Sequence, residues 1–332
     1  MSRFIHVLLT GGVGSRLWPL SRKARPKQYA DIFGGDSLFE LTVKRNQALT
    51  DELCVVGNIE NDQLSKGSLS RLGVVTNHHI VETTPRNTAA AIAFAAFSVE
   101  KDDMLLITPS DHIIAEGPQY DLAIEKAKEL AKKGSIVTFG IQPTKPETGY
   151  GYIEYNGTEV KSFREKPNKE TAQDFIRSGN FLWNSGMFCF KAGVFLEELK
   201  KFEPDVYDQS RNVLENTESD FLDLDLSMKI PSISVDYAVM ERSDKIKVVP
   251  SSFKWSDMGS FESVYEYLQS QGHPVDENGN MSIGCNKFTS FVGLKNSIFV
   301  ATEDANLILQ KEDSQEVKVV YKNLEKEYSD LT

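Results

Sequence analysis

The sequence predicts an α/β fold in which a mostly parallel β-sheet is flanked by helices, followed by a small all-β domain at the C-terminus. Short apolar runs alternate with helical segments from Ile5 to about Gly140, a pattern typical of parallel sheets with helices on both faces. Beyond Asn280, β-like runs recur at short intervals, which is typical of strand–turn units in a small all-β module.

The first apolar run, 5–9, is too short to span a membrane and indicates a buried strand. Further strands are predicted at 53–56, 74–75, 104–108 and 136–139, and helices at 37–49, 87–98 and 120–133. The helix at 87–98 is rich in alanine, a strong helix former that permits close packing on a sheet. Because ligands bind at the carboxyl ends of strands in such sheets, the segments after 5–9, 74–75 and 104–108 are candidate binding loops.

After Thr148 the predicted elements become shorter and more mixed. Strands are predicted at 150–155, 160–164, 181–190 and 245–249, and helices at 192–201, 204–215, 236–242 and 260–268. Gly186 is expected to mark a bulge or turn within its strand, and Ser260 to cap its helix.

A polar stretch with Gly and Pro, 269–280, predicts a boundary between a large domain, 1–268, and a small one, 281–332. Strands of the small domain are predicted at 291–292, 298–300, 307–309 and 317–321. About 50 residues bury too little surface for independent stability, so we expect this domain to pack on the large domain or on a partner subunit.

Composition excludes several classes of protein. The 332 residues are 40% hydrophobic and 26% charged, an ordinary globular balance. A net charge of −11 without a basic block argues against a nucleic-acid partner. The three cysteines (Cys54, Cys189 and Cys285) lie far apart and form no C-x-x-C pair, so neither a zinc site nor a disulfide framework is predicted. No signal peptide or membrane-spanning run is visible, so we expect a cytoplasmic protein without a membrane partner.

A glycine-rich loop follows the first strand and is the strongest candidate for ligand binding. Gly11, Gly12 and Gly14 permit positive φ angles and let backbone N–H groups approach an anion. Arg16 adds a planar fork of donors for phosphate oxygens, and Lys27 adds a point charge. The loop therefore suits a polyphosphate, although a tight turn with two solvated cations would also fit. It has neither the third glycine of the Rossmann fingerprint nor the Gly-Lys pair of a P-loop.

Read as a whole, the string GGVGSRLWPL followed by RPKQ closely resembles the signature of sugar-nucleotide pyrophosphorylases. Further motifs in the family order extend the resemblance from about residue 5 to 265. It implies a Rossmann-like fold of the nucleotide-diphospho-sugar transferase type. The form with Trp18 and Pro26-Lys27-Gln28 resembles members that use GTP and mannose 1-phosphate and form GDP-mannose and diphosphate.

Two aspartates that directly follow strands are candidate metal ligands. Asp111 and Asp257 could equally be helix caps or turn residues. Mg²⁺ prefers one or two carboxylates together with phosphate oxygens and water. The resemblance assigns the catalytic Mg²⁺ to these two aspartates.

Nucleotide contacts are expected from the loop before the Ala-rich helix. Arg86, Asn87 and Thr88 resemble the purine-recognising segment of the family, while a capped helix with an exposed Arg is the alternative. Ser15 and Ser110 are the remaining expected nucleotide contacts, together with the glycines and Arg16.

Sugar contacts are expected between residues 149 and 184. Gly149 lies among aromatic residues, where it would let a sugar approach the backbone, although a β-bend is the alternative. Glu165 and Lys166 point to opposite faces of a strand and could be a solvated charge cluster. The resemblance gives Glu165 and Asn184 to the hexose and Lys166 to its phosphate.

The expected reaction is GTP plus α-D-mannose 1-phosphate giving GDP-mannose plus diphosphate, with Arg16, Lys27 and Lys166 as catalytic residues. A different nucleotide or hexose 1-phosphate is one alternative, and a non-catalytic sugar-nucleotide-binding regulatory subunit is another. A homodimer is expected from the family. No H-x-H or similar cluster follows Gly259, so the phosphomannose isomerase activity of longer relatives is not expected.

Overall fold

A nine-stranded sheet forms the centre of the molecule in the computed structural model, which describes residues 2–30 and 35–332. The strands of these residues, in chain order, are β1 (Phe4–Leu9), β2 (Glu52–Asn58), β3 (His78–Glu82), β4 (Met104–Pro109), β5 (Ile113–Ile114), β6 (Ile136–Ile141), β7 (Gly151–Asn156), β8 (Glu159–Glu165), β9 (Phe181–Lys191), β10 (Ile246–Ser251), β11 (Trp255–Ser256), β12 (Met281–Ile283), β13 (Ser297–Ala301) and β14 (Asn306–Gln310).

The large sheet has the strand order β3-β2-β1-β4-β9-β6-β10-β8-β7. Only β8 and β9 run against the other strands of this sheet, so the predicted mostly parallel sheet is confirmed. The long strand β9 enters between β4 and β6 and is antiparallel to both. Its register with β6 shifts between Asn184 and Phe188, and Gly186 has φ 71°, so the predicted irregularity at Gly186 is confirmed.

Helices cover both faces of the sheet. The helices of the described residues are α1 (Leu38–Gln47), α2 (Asp62–Leu72), α3 (Asn87–Phe97), α4 (Pro118–Lys132), α5 (Lys169–Ser178), α6 (Ala192–Phe202), α7 (Pro204–Glu215), α8 (Leu224–Ser227), α9 (Phe261–Ser270) and α10 (Val317–Glu327). The predicted cap is present, because the Ser260 hydroxyl accepts a hydrogen bond from the backbone N–H of Ser263 at the start of α9.

Two of the apolar cores in the described part of the chain lie on opposite faces of the sheet. One packs α3, α6 and α7 on the first face, where the alanines of α3 let the helix approach closely. The other packs α4 on the opposite face, around buried Tyr120, Phe139 and Tyr152. Burial on both faces explains why the central strands read as continuous apolar runs.

The strand predicted at 74–75 is wrong, because the chain there leaves a helix that the sequence pattern did not reveal. Helix α2 ends at Gly73, whose φ is 64°, and the N–H of Val74 bonds back to the carbonyl of Leu69. Val75 is then exposed, and the strand begins at His78. Buried serines rather than apolar residues dominate the inner face of α2, which hides its periodicity.

The C-terminal region contains the three-stranded sheet β12-β13-β14, so the predicted β region is confirmed in part. The strand predicted at 317–321 is wrong: these residues begin α10, with Val317 and Tyr321 buried four residues apart on one helix face. The strand predicted at 291–292 is also wrong, because Val292 is exposed in a bend before Gly293. The region therefore combines a sheet with a helix and is not all-β.

This region packs directly on the glycine-rich loop. Leu17 and Trp18 share an apolar core with Val317 and Tyr321, and strands β12 and β13 add Met281, Ile283, Ile298 and Val300. No helix within the described ranges is long and apolar enough to cross a membrane.

Candidate active site

The site lies where β1 and β4 end side by side. These strands are parallel neighbours in register, with Leu9 opposite Pro109. The glycine-rich loop and the segment from Ser110 to His112 therefore leave the sheet next to each other. This edge of the sheet is the one that the sequence predicts for a ligand.

Two adjoining cavities open at this edge. The first, of about 420 Å³, is lined among others by Gly11, Gly12, Glu82, Asn87, Thr88 and Asp236. The second, of about 300 Å³, is lined among others by Gly14, Ser15, Arg16, Lys27, Asp257 and Lys318. Asp111 and His112 line both cavities, so a ligand that extends from one to the other passes these two residues.

The second half of the signature, RPKQ, braces the glycine loop. The side-chain amide of Gln28 donates to the carbonyls of Thr10 at 2.9 Å and Gly12 at 3.3 Å. Gly14 has φ 77°, and a Cβ there would lie 2.6 Å from the Cβ of Lys27. Only glycine fits this position, because a side chain would be both strained and in collision with Lys27.

Lys27 joins the loops that carry the two aspartates. It is buried, at 5% exposure, and its ammonium lies 2.9 Å from Oδ2 of Asp111. The same ammonium donates to the backbone carbonyl of Asp257 at 2.7 Å. An ammonium carries three donors, so one remains for a ligand in the second cavity.

Asp111 is held ionised. Burial alone would raise the pKa of its carboxyl, but the charge and the hydrogen bond of Lys27 outweigh burial and the pKa is lowered. The imidazole of His112 accepts a hydrogen bond from the Trp255 indole at 3.3 Å, and burial lowers the pKa of His112. His112 is therefore placed as a neutral neighbour of the carboxylate.

Asp257 is oriented by two donors on one oxygen. Its Oδ1 accepts from the Tyr150 hydroxyl at 2.7 Å and from the backbone N–H of Gly259 at 3.0 Å. No group of three or more His, Cys, Asp or Glu able to hold a metal occurs in the described part of the chain. Two carboxylates at one phosphate-sized cavity still fit Mg²⁺, because this ion completes its shell with phosphate oxygens and water.

The far end of the first cavity carries an unexpected acid, Glu82. This residue ends β3, is 8% exposed, and accepts a hydrogen bond from the Arg86 backbone N–H at 3.3 Å. Burial raises the pKa of Glu82 to about 7. Asn87 (φ 69°) and Thr88 line the cavity beside it, and the Thr88 hydroxyl accepts from the backbone N–H of Val235.

Two of the predicted nucleotide contacts lie outside the lining of both cavities. The Arg86 guanidinium donates to the carbonyl of Ile230 at 2.6 Å, which ties the loop before α3 to the chain after α8. Ser110 is buried, and its hydroxyl has no hydrogen-bond partner among the residues that the structure describes. Their roles toward a nucleotide stay predictions.

Two of the predicted sugar residues, Glu165 and Asn184, form a corner with Asp236, and of these three only Asp236 lines the first cavity. Asn184 accepts from the Thr138 hydroxyl at 2.8 Å and donates to Asp236 at 3.1 Å. Burial, and then the charge of Glu165, raise the pKa of Asp236 to about 6. Lys166 is exposed at the rim, where it forms an ion pair with Glu165.

Gly151 is closely approached by the Glu165 side chain in this corner. A Cβ on Gly151 would lie 2.6 Å from Oε2 of Glu165, whereas Gly149 is exposed and donates its N–H to Glu147. Contact of Gly149 with a sugar stays a prediction.

Sequence reasoning missed three residues that line the cavities. Glu82 is the last residue of β3, and because this strand was predicted at 74–75, no strand end was expected at Glu82. Asp236 lies in a segment that was predicted only as a helix, 236–242. Lys318 lies in the segment misread as a strand, so no sequence signal placed it near the site.

Comparison with known proteins agrees with this architecture. The sequence profile described as "Nucleotidyl transferase" matches residues 5–272. The mannose-1-phosphate guanylyltransferase of Klebsiella pneumoniae is 38% identical over 95% of this chain and 72% of its own length.

Two solved structures are also similar to the chain. One, titled mannose-1-phosphate geranyltransferase and from Thermus thermophilus, has a TM-score of 0.83 and 27% identity, covering 97% of this chain and 99% of its own. Another, titled mannose-6-phosphate isomerase from Helicobacter pylori, has a TM-score of 0.69 and 39% identity, covering 76% of this chain and 99% of its own. With the profile match and the Klebsiella relative, these likenesses show that the chain belongs to the nucleotidyl transferase family.

Proposed function

We propose that this protein transfers GMP from GTP to α-D-mannose 1-phosphate, giving GDP-mannose and diphosphate. The family supports nucleotidyl transfer, and the name of the Klebsiella pneumoniae relative supports these substrates. The observation that carries the choice of nucleotide is the buried carboxylate of Glu82 in the first cavity.

Guanine presents two neighbouring N–H donors on one edge, N1–H and the N2 amino group. A carboxylate accepts both at once, and such charge-assisted bidentate pairs are among the stronger hydrogen bonds. Adenine places an acceptor at N1, which a carboxylate repels. Glu82 therefore favours guanine over adenine, with Asn87 and Thr88 beside the base.

The triphosphate would lie along the glycine loop into the second cavity. Backbone N–H groups of Gly11, Gly12 and Gly14 would approach its oxygens, with the Ser15 hydroxyl nearby. Arg16 and Lys27 would neutralise its charge.

Asp111 and Asp257 would hold Mg²⁺ from the other side of the cavity. Bound there, the ion would supply charge neutralisation to the phosphate oxygens of the nucleotide. The ion pair of Lys27 with Asp111 keeps that carboxylate deprotonated and aimed at the cavity.

The attacking group is an oxygen of the sugar phosphate. Its bond to the α-phosphorus forms while the bond from this phosphorus to the bridging oxygen breaks, and diphosphate leaves with the electron pair. A phosphate monoester has its second pKa near about 6, so this oxygen is anionic near neutral pH and needs no general base. Catalysis then depends on positioning and charge neutralisation by Arg16, Lys27 and Lys166.

The hexose would lie in the corner formed by Glu165, Asn184 and Asp236, whose oxygens accept hydrogen bonds from sugar hydroxyls. Gly149 would border the hexose on the backbone side. Lys166 would exchange its ion pair with Glu165 for the sugar phosphate.

The test is diphosphate release with Mg²⁺ across four nucleoside triphosphates and several hexose 1-phosphates. We expect the highest kcat/KM with GTP and mannose 1-phosphate. A dominant signal with another pair would overturn the base or the sugar, and silence across all pairs would overturn nucleotidyl transfer. Isomerisation of mannose 6-phosphate, assayed on the same preparation, is expected to be absent.

We also propose that the protein is a cytoplasmic homodimer, as the family resemblance implies. Light scattering coupled to gel filtration tests the assembly, with a mass near twice the chain mass of 37.2 kDa expected. A mass of 37.2 kDa would contradict it.

A further inference from the structure

One cation in the second cavity comes from the C-terminal helix and has no assigned role. Lys318 lies in the first turn of α10 and lines this cavity together with Ser15, Arg16 and Lys27. Its side chain is exposed, and among the described residues no carboxylate forms an ion pair with it.

The position of α10 over the loop is specified by polar contacts from residues 18–23. The Trp18 indole donates to the carbonyl of Leu331 at 2.7 Å, and Arg22 donates to the same carbonyl at 2.6 Å. Lys23 forms an ion pair with Glu325 at 2.9 Å. The loop therefore binds both the helix and the segment that follows it.

Apolar contacts hold the helix at the level of Lys318. Val317 and Tyr321 are buried in one core with Leu17 and Trp18. Lys318 directly follows Val317, and Leu17 directly follows Arg16. The shared core thus sets the distance between the backbones that carry the Arg16 and Lys318 side chains.

The charges around the cavity explain why a third cation matters. Lys27 is paired with Asp111, so its charge is partly neutralised before any ligand binds. Arg16 and Lys318 have no carboxylate partner in the described ranges. Without these two free cations the lining would carry Lys27 against Asp111 and Asp257, a net charge of −1, and with them it carries +1.

We propose that Lys318 binds the β- and γ-phosphates of the nucleotide, which leave as diphosphate. This inference rests on the proposed function. Glu82, Asn87 and Thr88, assigned to the base, line the first cavity together with Asp236 from the hexose corner, so the α-phosphorus would lie near Asp111, which both cavities share. Lys318 lines only the second cavity and so faces the end of the triphosphate that departs.

A product comparison tests the proposal, because GDP-mannose lacks the phosphates that Lys318 would bind. Lys318→Ala is expected to raise two constants about tenfold: KM for GTP, and KM for diphosphate in the reverse reaction. This is the effect of losing one charge-assisted hydrogen bond at a partly exposed site. The Kd of GDP-mannose and the melting temperature are expected to stay unchanged. Lys318→Arg is expected to restore most of the diphosphate KM.

The matched control is Lys326→Ala, a lysine of the same helix that lines neither cavity. It is expected to leave all four quantities unchanged.

Unchanged KM values in Lys318→Ala would overturn the proposal. Equal weakening of GDP-mannose and diphosphate would overturn it too, since a structural role would act on both ligands. Failure of the proposed function is distinguishable, because the wild-type protein would then release no diphosphate with any substrate pair.

Discussion

Glu82 is the residue whose substitution tests base recognition most directly. Glu82→Gln keeps the size of the side chain but removes its charge and replaces one acceptor with a donor. The new amide would face one of the two guanine N–H groups. We expect a loss of GTP recognition with the fold intact.

The magnitude follows from the chemistry of the bond and the burial of Glu82. Hydrogen bonds to a charged group contribute about 1.5–3 kcal/mol, so kcat/KM for GTP should fall roughly 10- to 150-fold at high pH. Burial raises the pKa of Glu82 to about 7. The ionised fraction then rises about tenfold between pH 6 and pH 8.

The assay is the ratio of kcat/KM for GTP in wild type to that in Glu82→Gln, followed from pH 6 to pH 8. The ratio cancels the titration of both substrates and of every other enzyme group, and kcat/KM reports the free enzyme. It should rise up to tenfold. Inosine triphosphate, which lacks only the N2 amino group, should lose its disadvantage against GTP in the variant.

The control is Glu129→Gln on α4, a residue outside both cavities, whose ratio to wild type should be flat and near one. A flat ratio for Glu82→Gln as well, with an unchanged preference for GTP over inosine triphosphate, would refute the assignment of Glu82 to the base.

Four further predictions concern catalysis and stability. Lys27→Ala should lower kcat far more than it weakens mannose 1-phosphate binding, because Lys27 contacts the phosphate side of the site; normal turnover would exclude the role. Asp111→Asn should shift the Mg²⁺ titration of the rate to higher concentration, and an identical titration curve would argue against a metal ligand. Gly14→Ala should lower the free energy of unfolding by about 1–3 kcal/mol, because Gly14 has a left-handed backbone and a Cβ would collide with Lys27. Urea unfolding measures this loss. The control Gly67→Ala in α2 should be neutral or stabilising. His6 is buried, which lowers its pKa from 6.5 to about 3. Between these two pH values the folded state binds fewer protons than the unfolded state, so stability is lost as pH falls below 6.5. From pH 7 to pH 5 the unfolding free energy should drop about 2 kcal/mol more in wild type than in His6→Gln, and parallel curves would contradict this.

Much of the fold and the core of the site could be predicted from the sequence because their signals are local. The apolar run before Gly11 and the run before Asp111 each indicate a buried strand, and parallel strands place their carboxyl ends together. Gly14 and Lys27 are close in sequence and act within one loop, so the motif itself carries their geometry. The irregularity of β9 was predictable because an isolated glycine inside an apolar strand, Gly186, favours a bulge or turn.

Only the tertiary structure decided what depends on contacts between distant segments. A β-branched run such as the one at Val317 has the same composition in a strand and in a helix, and burial of Val317 and Tyr321 against Trp18 selects the helix. The helix in turn brings Lys318 to the second cavity. Similarly, the hydrogen bond of the Arg86 guanidinium to the carbonyl of Ile230, far along the chain, and the place of Glu82 in the first cavity are visible only in the folded protein. A local pattern thus specified the glycine-rich loop, while the packing of remote segments specified which charges surround it.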